Sequence, residues 1–160
     1  LAGRGDLAIH HVFGRRDWAL RDQPRFPPPP LPADGLSYRA VENSDEIGDL
    51  LAAADLGLTR AGGSTVAALA IVGLPSILVP LPIATRDHQR ANAAGLVEAG
   101  GAALVTDSDL SSDRLLAELL PLIDEPERLL PMAAAARSQG HPDAAARVAD
   151  LLEAAAKGRT

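Results

Sequence analysis

Cysteine is absent from this chain of 160 residues, so neither a disulfide nor a thiolate metal site can belong to its architecture. Aromatic residues are scarce, with one Trp, one Tyr and two Phe, which leaves the core to Ala, Leu, Val and Ile. No stretch reaches the ~18 apolar residues of a membrane span, and Leu74 to Ala84 is broken by Pro75, Pro80 and Pro82. Cationic charge is also short: 15 Lys and Arg stand against 21 Asp and Glu, for a net charge of −6 and a pI near 5.1. A nucleic-acid partner requires a cationic footprint, so none is expected. Neither an internal repeat nor a His and Asp cluster with ligand spacing is found, and Asp107-Ser108-Asp109 precedes a helix, where capping is the simpler account. The chain begins at Leu1 without a charged and then apolar leader, which reads as a fragment or a processed form rather than a natural start.

What is present is 47% apolar residues in a length that buries about 70% of the unfolded surface, enough for one compact domain. Strand and helix patterns alternate as a parallel α/β sheet with helices on both faces requires. Strands are expected at Leu7 to Phe13, Leu36 to Val41, Asp55 to Arg60, Pro75 to Leu81 and Ala102 to Thr106. Helices are expected at Ser44 to Ala54, after the glycines at 62 and 63, from about His88, and over Ser108 to Ile123, Glu127 to Ser138 and Asp143 to Ala156. A short helical stretch should follow Trp18. Pro24 to Pro32 should be an extended surface connection. His10 and His11 alternate along a strand, which sends one into the core and one outward.

Two polar clusters follow the C-terminal ends of neighbouring strands, where open parallel sheets bind ligands because helix N-termini converge there. In Ala61-Gly62-Gly63-Ser64-Thr65 the glycines let backbone approach an anion or take positive φ, and Ser64 or Thr65 can cap the helix. That pattern suits a phosphate cradle, and it is equally an ordinary helix start. It has no Walker lysine and no dinucleotide glycine spacing. The second cluster holds Arg86, Asp87, His88 and Gln89, with Asn92 on the same helical face as Gln89. Neutral amides there suit sugar hydroxyls, unless Asp87 merely caps the helix and its neighbours are solvated. Arg60 ends a strand beside both clusters and can pair a phosphate or carboxylates on the facing loop.

Thr59-Arg60-Ala61-Gly62-Gly63-Ser64-Thr65, Gly73-Leu74-Pro75, Val79-Pro80-Leu81-Pro82, His88-Gln89-x-x-Asn92-Ala93 and Glu98-Ala99-Gly100-Gly101-Ala102 resemble the C-terminal half of the MurG glycosyltransferases. The resemblance extends more weakly over nearly the whole chain. It implies a Rossmann-like donor domain of the GT-B architecture spanning 1–160, with its first strand and the N-terminal acceptor domain missing. It also implies UDP-N-acetylglucosamine as donor and an undecaprenyl-linked muramyl-pentapeptide as acceptor, bound through the missing domain. The whole enzyme would be cytoplasmic and peripheral on the inner membrane face, and this part alone would not catalyse transfer.

Carried over residue by residue, the resemblance assigns Gly62, Gly63, Ser64 and Thr65, with Arg60, to the diphosphate. Gln89 and Asn92, with His88, fall to the sugar, and Asn43 and Ser44 to the edge of the uracil. No cofactor is implied, because helix N-termini and an Arg take the place of a divalent cation. One departure is Ala68, where the family has a Glu that holds the ribose through charge-assisted bonds; Asn43 is another, at an apolar or aromatic position. These leave two other readings open: a donor-binding subunit of a two-chain or glycolipid-forming transferase, and a non-catalytic nucleotide-binding module.

Overall fold

The computed structural model describes residues 1–22, 35–82 and 87–158. The proline tract and Arg86 lie outside the described residues. By their contacts these fall into two compact units, Leu1–Ile47 and Gly48–Thr160, and each is described by itself.

In the first unit β1 (Ala8–Val12) pairs in parallel with β2 (Ser37–Val41), from Ala8 opposite Ser37 to Val12 opposite Val41. The chain leaves β1 through a turn and a short 3-10 helix at Trp18–Asp22. Contrary to the alternation expected of the strand, His10 and His11 are both exposed. A two-stranded ladder has no aliphatic layer deep enough to enclose an imidazole.

The second unit is a three-stranded parallel sheet in the order β3 (Gly57–Thr59), β4 (Ser76–Leu78), β5 (Ala102–Leu104). Each strand is shorter than its apolar run. Pro75 and Pro80 have no N–H, so the ladder through the middle strand cannot extend past them; it closes with Gly57 N–H to Pro75 C=O and Val79 N–H to Thr59 C=O, both 2.9 Å. Between β3 and β4 runs α2 (Gly63–Val72), and between β4 and β5 runs α3 (His88–Glu98). After β5 come α4 (Ser112–Asp124), a 3-10 turn at Pro126–Arg128, α5 (Leu129–Ser138) and α6 (Ala144–Lys157). Before β3, α1 (Ile47–Ala53) starts later than the run from Ser44, whose Oγ accepts the Glu46 N–H at 3.3 Å.

The period of two along β4 divides the core. Leu78 points to one face, where Leu69, Ala70 and Leu74 at the end of α2, Ala93 and Leu96 of α3 and Ala136 of α5 pack on it. Ile77 and Val79 point to the other, against Val105 and the Leu115, Leu119, Leu122 stripe of α4. Both faces of β4 are thus covered by helices, as parallel strands require. Gly73, at φ 75°, ends α2 in the left-handed conformation, and its N–H bonds Leu69 C=O; the turn delivers Leu74 back into the core. The middle strand therefore presents its carboxyl end rigidly beside the starts of α2 and α3.

Candidate functional site

The loops after β3 and β4 meet at the carboxyl edge of the second unit. Asn92 Nδ2 donates to Ala61 C=O at 3.1 Å, and Leu81 N–H donates to Gln89 Oε1 at 2.9 Å. Each backbone partner fixes which amide atom faces it. The two side chains expected to face a sugar thus spend one polar atom each on tying α3 to both loops. Among the described residues the Gln89 amide nitrogen and the Asn92 amide oxygen have no further hydrogen bond and are left for another partner.

The first turn of α2 differs from expectation. The helix begins at Gly63 with Gly62 as N-cap (φ −65°, ψ 144°) and no side-chain cap hydrogen bond. Ser64 and Thr65 lie inside the helix rather than capping it, with Ser64 exposed. Neither glycine uses positive φ, and a Cβ built on Gly63 meets nothing nearer than Asn92 Nδ2 at 3.7 Å; on Gly62 the nearest atom is Thr65 Oγ1 at 3.8 Å. Backbone strain and internal crowding therefore do not account for this Gly-Gly pair. What the missing side chains do is expose the helix-terminal N–H groups, which carry the positive end of the helix dipole.

The start of α3 repeats the arrangement. Asp87 is its N-cap residue, at φ 54°, and makes no side-chain cap hydrogen bond, so the capping role open to Asp87 is not the one it takes. His88 is exposed at the first helical position. Two helix N-termini without side-chain caps thus stand beside adjacent strands, linked through the Asn92 to Ala61 bond.

Arg60 takes the second of its two readings. Its Nη1 bonds Asp107 Oδ1 at 2.5 Å and the carbonyls of Val79 (3.3 Å) and Pro80 (3.5 Å). It braces the ends of β3 and β4 to the loop after β5, and a phosphate would compete with these acceptors. A cavity of about 230 Å³ beside it is lined by Leu58, Thr59, Arg60, Val79, Leu110 and Leu115. Asp107 and Asp109 do not cap α4: Ser111 does, accepting from Arg114 N–H at 3.1 Å, while Asp109 accepts from Thr106 Oγ1. Sequence reading took Asp107 for a helix cap and did not identify it as the carboxylate that Arg60 pairs, because nothing local marks a pairing 47 positions away.

In the first unit Asn43 Nδ2 donates to Asp45 Oδ1 at 3.3 Å, and Ser44 Oγ accepts the Glu46 N–H just before α1. Ala68 lies half-buried on α2, three residues after Thr65. Among the described residues no group of His, Asp and Glu side chains is placed to hold a metal ion, and no helix is long and apolar enough to cross a membrane.

Comparison with known proteins agrees with the fold. Residues 1–148 match the model of the glycosyltransferase family 28 C-terminal domain. The UDP-N-acetylglucosamine–N-acetylmuramyl-(pentapeptide) pyrophosphoryl-undecaprenol N-acetylglucosamine transferase of Mycolicibacterium smegmatis is 46% identical over 132 residues, 82% of this chain and 34% of the relative. The enzyme of the same description from Alkalilimnicola ehrlichii is 52% identical over 115 residues, 70% of this chain and 32% of the relative. Among solved structures, Acinetobacter baumannii MurG superposes with a TM-score of 0.76 at 31% identity, covering 92% of this chain and 41% of that one. The glycosyltransferase VinC, solved with dTDP, superposes at 0.58 with 26% identity, covering 83% and 29%. The chain therefore spans about a third of the length of the curated relatives it matches.

Proposed function

The chain belongs to the glycosyltransferase family 28 C-terminal domain family, and from that premise we propose that it is the donor-binding part of an inverting N-acetylglucosamine transferase of peptidoglycan synthesis. The donor is UDP-N-acetylglucosamine. The acceptor is a lipid-linked muramyl-pentapeptide, engaged by a separate acceptor-binding domain that also supplies the general base. The complete enzyme would work at the cytoplasmic face of the membrane as a peripheral protein, and this part alone would not turn over. The observation that carries the reading is the pair of adjacent helix N-termini without side-chain caps, opened by Gly62 and Gly63 and locked together by Asn92.

In such a transfer the acceptor hydroxyl attacks the anomeric carbon as its bond to the diphosphate oxygen breaks, and negative charge grows on the leaving diphosphate. The N–H groups of Gly63, Ser64 and Thr65, fixed by the start of α2, would face that charge, so that little reorganisation would be needed as it forms. This positive helix end would replace a divalent cation, so donor binding should not depend on added metal. The remaining amide atoms of Gln89 and Asn92 would hold sugar hydroxyls, with His88 at their edge. Arg60 would act by holding the strand ends in place, reaching a phosphate only if it gives up Asp107.

Ala68 favours a second reading, a nucleotide-binding module without uridine preference, since the ribose loses a carboxylate partner. Calorimetric titration with UDP-N-acetylglucosamine, UDP and ADP in EDTA decides between them. The proposal expects both uridine ligands to bind at least tenfold more tightly than ADP, unaffected by the chelator. Equal affinity for all three would favour the second reading, and no binding by any would overturn both.

A further inference from the structure

The carboxyl edge of the second unit holds an ion pair in which the two partners are not equally fixed. Arg60, at the end of β3, and Asp107, in the loop after β5, meet at 2.5 Å with side chains 48% and 34% exposed. The hold on the guanidinium is one-sided. Its Nη1 faces three acceptors, Asp107 Oδ1, Val79 C=O at 3.3 Å and Pro80 C=O at 3.5 Å, but that nitrogen carries only two hydrogens, and the carbonyl contacts are at the long limit of a hydrogen bond. Nε and Nη2 make no hydrogen bond among the described residues. The cavity of about 230 Å³ lies along the same side chain, so packing does not fix it either.

The anion is held more firmly. Thr106 Oγ1 donates to Asp109 Oδ2 at 2.6 Å and lies 2.9 Å from Ser108 Oγ, and Asp109 N–H closes the turn on Thr106 C=O at 3.0 Å. Asp107 therefore sits in a loop with bonds of its own, whereas the one short bond of Arg60 is to Asp107. A half-exposed pair of this kind contributes little to stability, because water screens the attraction and can replace either partner. A stronger anion can exchange it. Arg60 is also the third residue before Gly63, where α2 begins; three residues span at most about 11 Å even fully extended, a gap that an Arg side chain and a phosphate fill together.

We propose that Asp107 is a placeholder for the donor diphosphate: its carboxylate neutralises Arg60 while the site is empty and gives the guanidinium up to the phosphates when donor binds. This rests on the donor-binding reading above. Asp107 touches no donor atom and acts through Arg60, as a positioning residue that sets affinity. Every diphosphate must displace a carboxylate already seated, so part of the attraction of Arg60 is cancelled beforehand. The same carboxylate retakes Arg60 after transfer, which loosens the nucleoside diphosphate product.

The test is calorimetry on the 160-residue chain with inorganic pyrophosphate and UDP-N-acetylglucosamine as ligands. Asp107→Asn, which keeps the shape and drops the charge, should bind pyrophosphate about fivefold more tightly than the parent, at a thermal midpoint close to the parent's. Arg60→Gln should weaken pyrophosphate about tenfold, and adding Asp107→Asn to it should restore nothing, because the carboxylate acts only through Arg60. UDP-N-acetylglucosamine should follow the same order, and the Arg60 Nε–H NMR signal of the parent should move on saturation with pyrophosphate. A pair that only braces the strand ends gives a different result: Asp107→Asn would lower the thermal midpoint and leave pyrophosphate affinity unchanged or weaker. That outcome overturns the inference while leaving the donor-binding reading intact. A gain that persists in the Arg60→Gln background overturns it too, as the field of one removed charge. Binding of neither ligand by the parent chain overturns that reading and the inference with it.

Discussion

Single residues carry separable roles here. Gly63→Ala adds a methyl group that meets nothing nearer than 3.7 Å inside the protein, and Ala is the better helix former; its stability should match or exceed the parent while UDP affinity drops tenfold or more. A fall in thermal midpoint with unchanged affinity would contradict that. Ser76 is fully buried and its Oγ finds no partner among the described residues. Ser76→Ala removes an orphaned hydroxyl and should be neutral or stabilising by up to about 1 kcal/mol in urea melts. The Arg60 to Asp107 pair is half exposed, so a double-mutant cycle should return no more than about 1 kcal/mol, shrinking with salt. His11 titrates below the 6.5 of an unhindered imidazole because partial burial disfavours its charged form. A depressed folded value makes its contribution complete above pH 6.5 and lost as pH falls through the folded value. An NMR titration of His11 with its midpoint at or above 6.5 would refute this.

At the level of elements, β4 is the keystone because both of its faces are covered. Leu78→Ala should cost about 2 to 5 kcal/mol, and its 0% exposure leaves no room for relaxation into solvent. Leu151 on α6 is 70% exposed, so Leu151→Lys should move the thermal midpoint hardly at all. Among the described residues, all five strands and the six α-helices could be located from residue pattern, because apolar runs between turn residues report burial directly. Their ends were less legible, since proline at 75 and 80 cuts a ladder that apolarity alone would extend. Capping misled for a different reason: Ser64, Thr65, Asp87, Asp107 and Asp109 all have capping chemistry, but among the described residues Ser111 is the side chain that caps its helix, while Ser44 accepts the Glu46 N–H just before α1. The positions of Gln89 and Asn92 beside the glycine loop were readable, whereas their bonds to Leu81 and Ala61 depend on β3 and β4 being neighbours, which no local signal states.

Across the whole molecule, buried side chains concentrate in the second unit; Leu36 is the one buried hydrophobic among the described residues of the first. Hydrogen exchange should therefore protect the amides of β4, β5 and the end of α2 most strongly, with β1 and β2 exchanging sooner. Slower exchange in β1 than in β4 would contradict that ordering. The decisive measurement for the donor site is amide and side-chain NMR mapping of the chain titrated with UDP-N-acetylglucosamine. The largest shifts are expected at the Gly63, Ser64 and Thr65 amides and at the side-chain NH2 groups of Gln89 and Asn92. Saturating ligand that leaves those signals in place, or moves only residues remote from the ends of β3 and β4, would contradict the assignment.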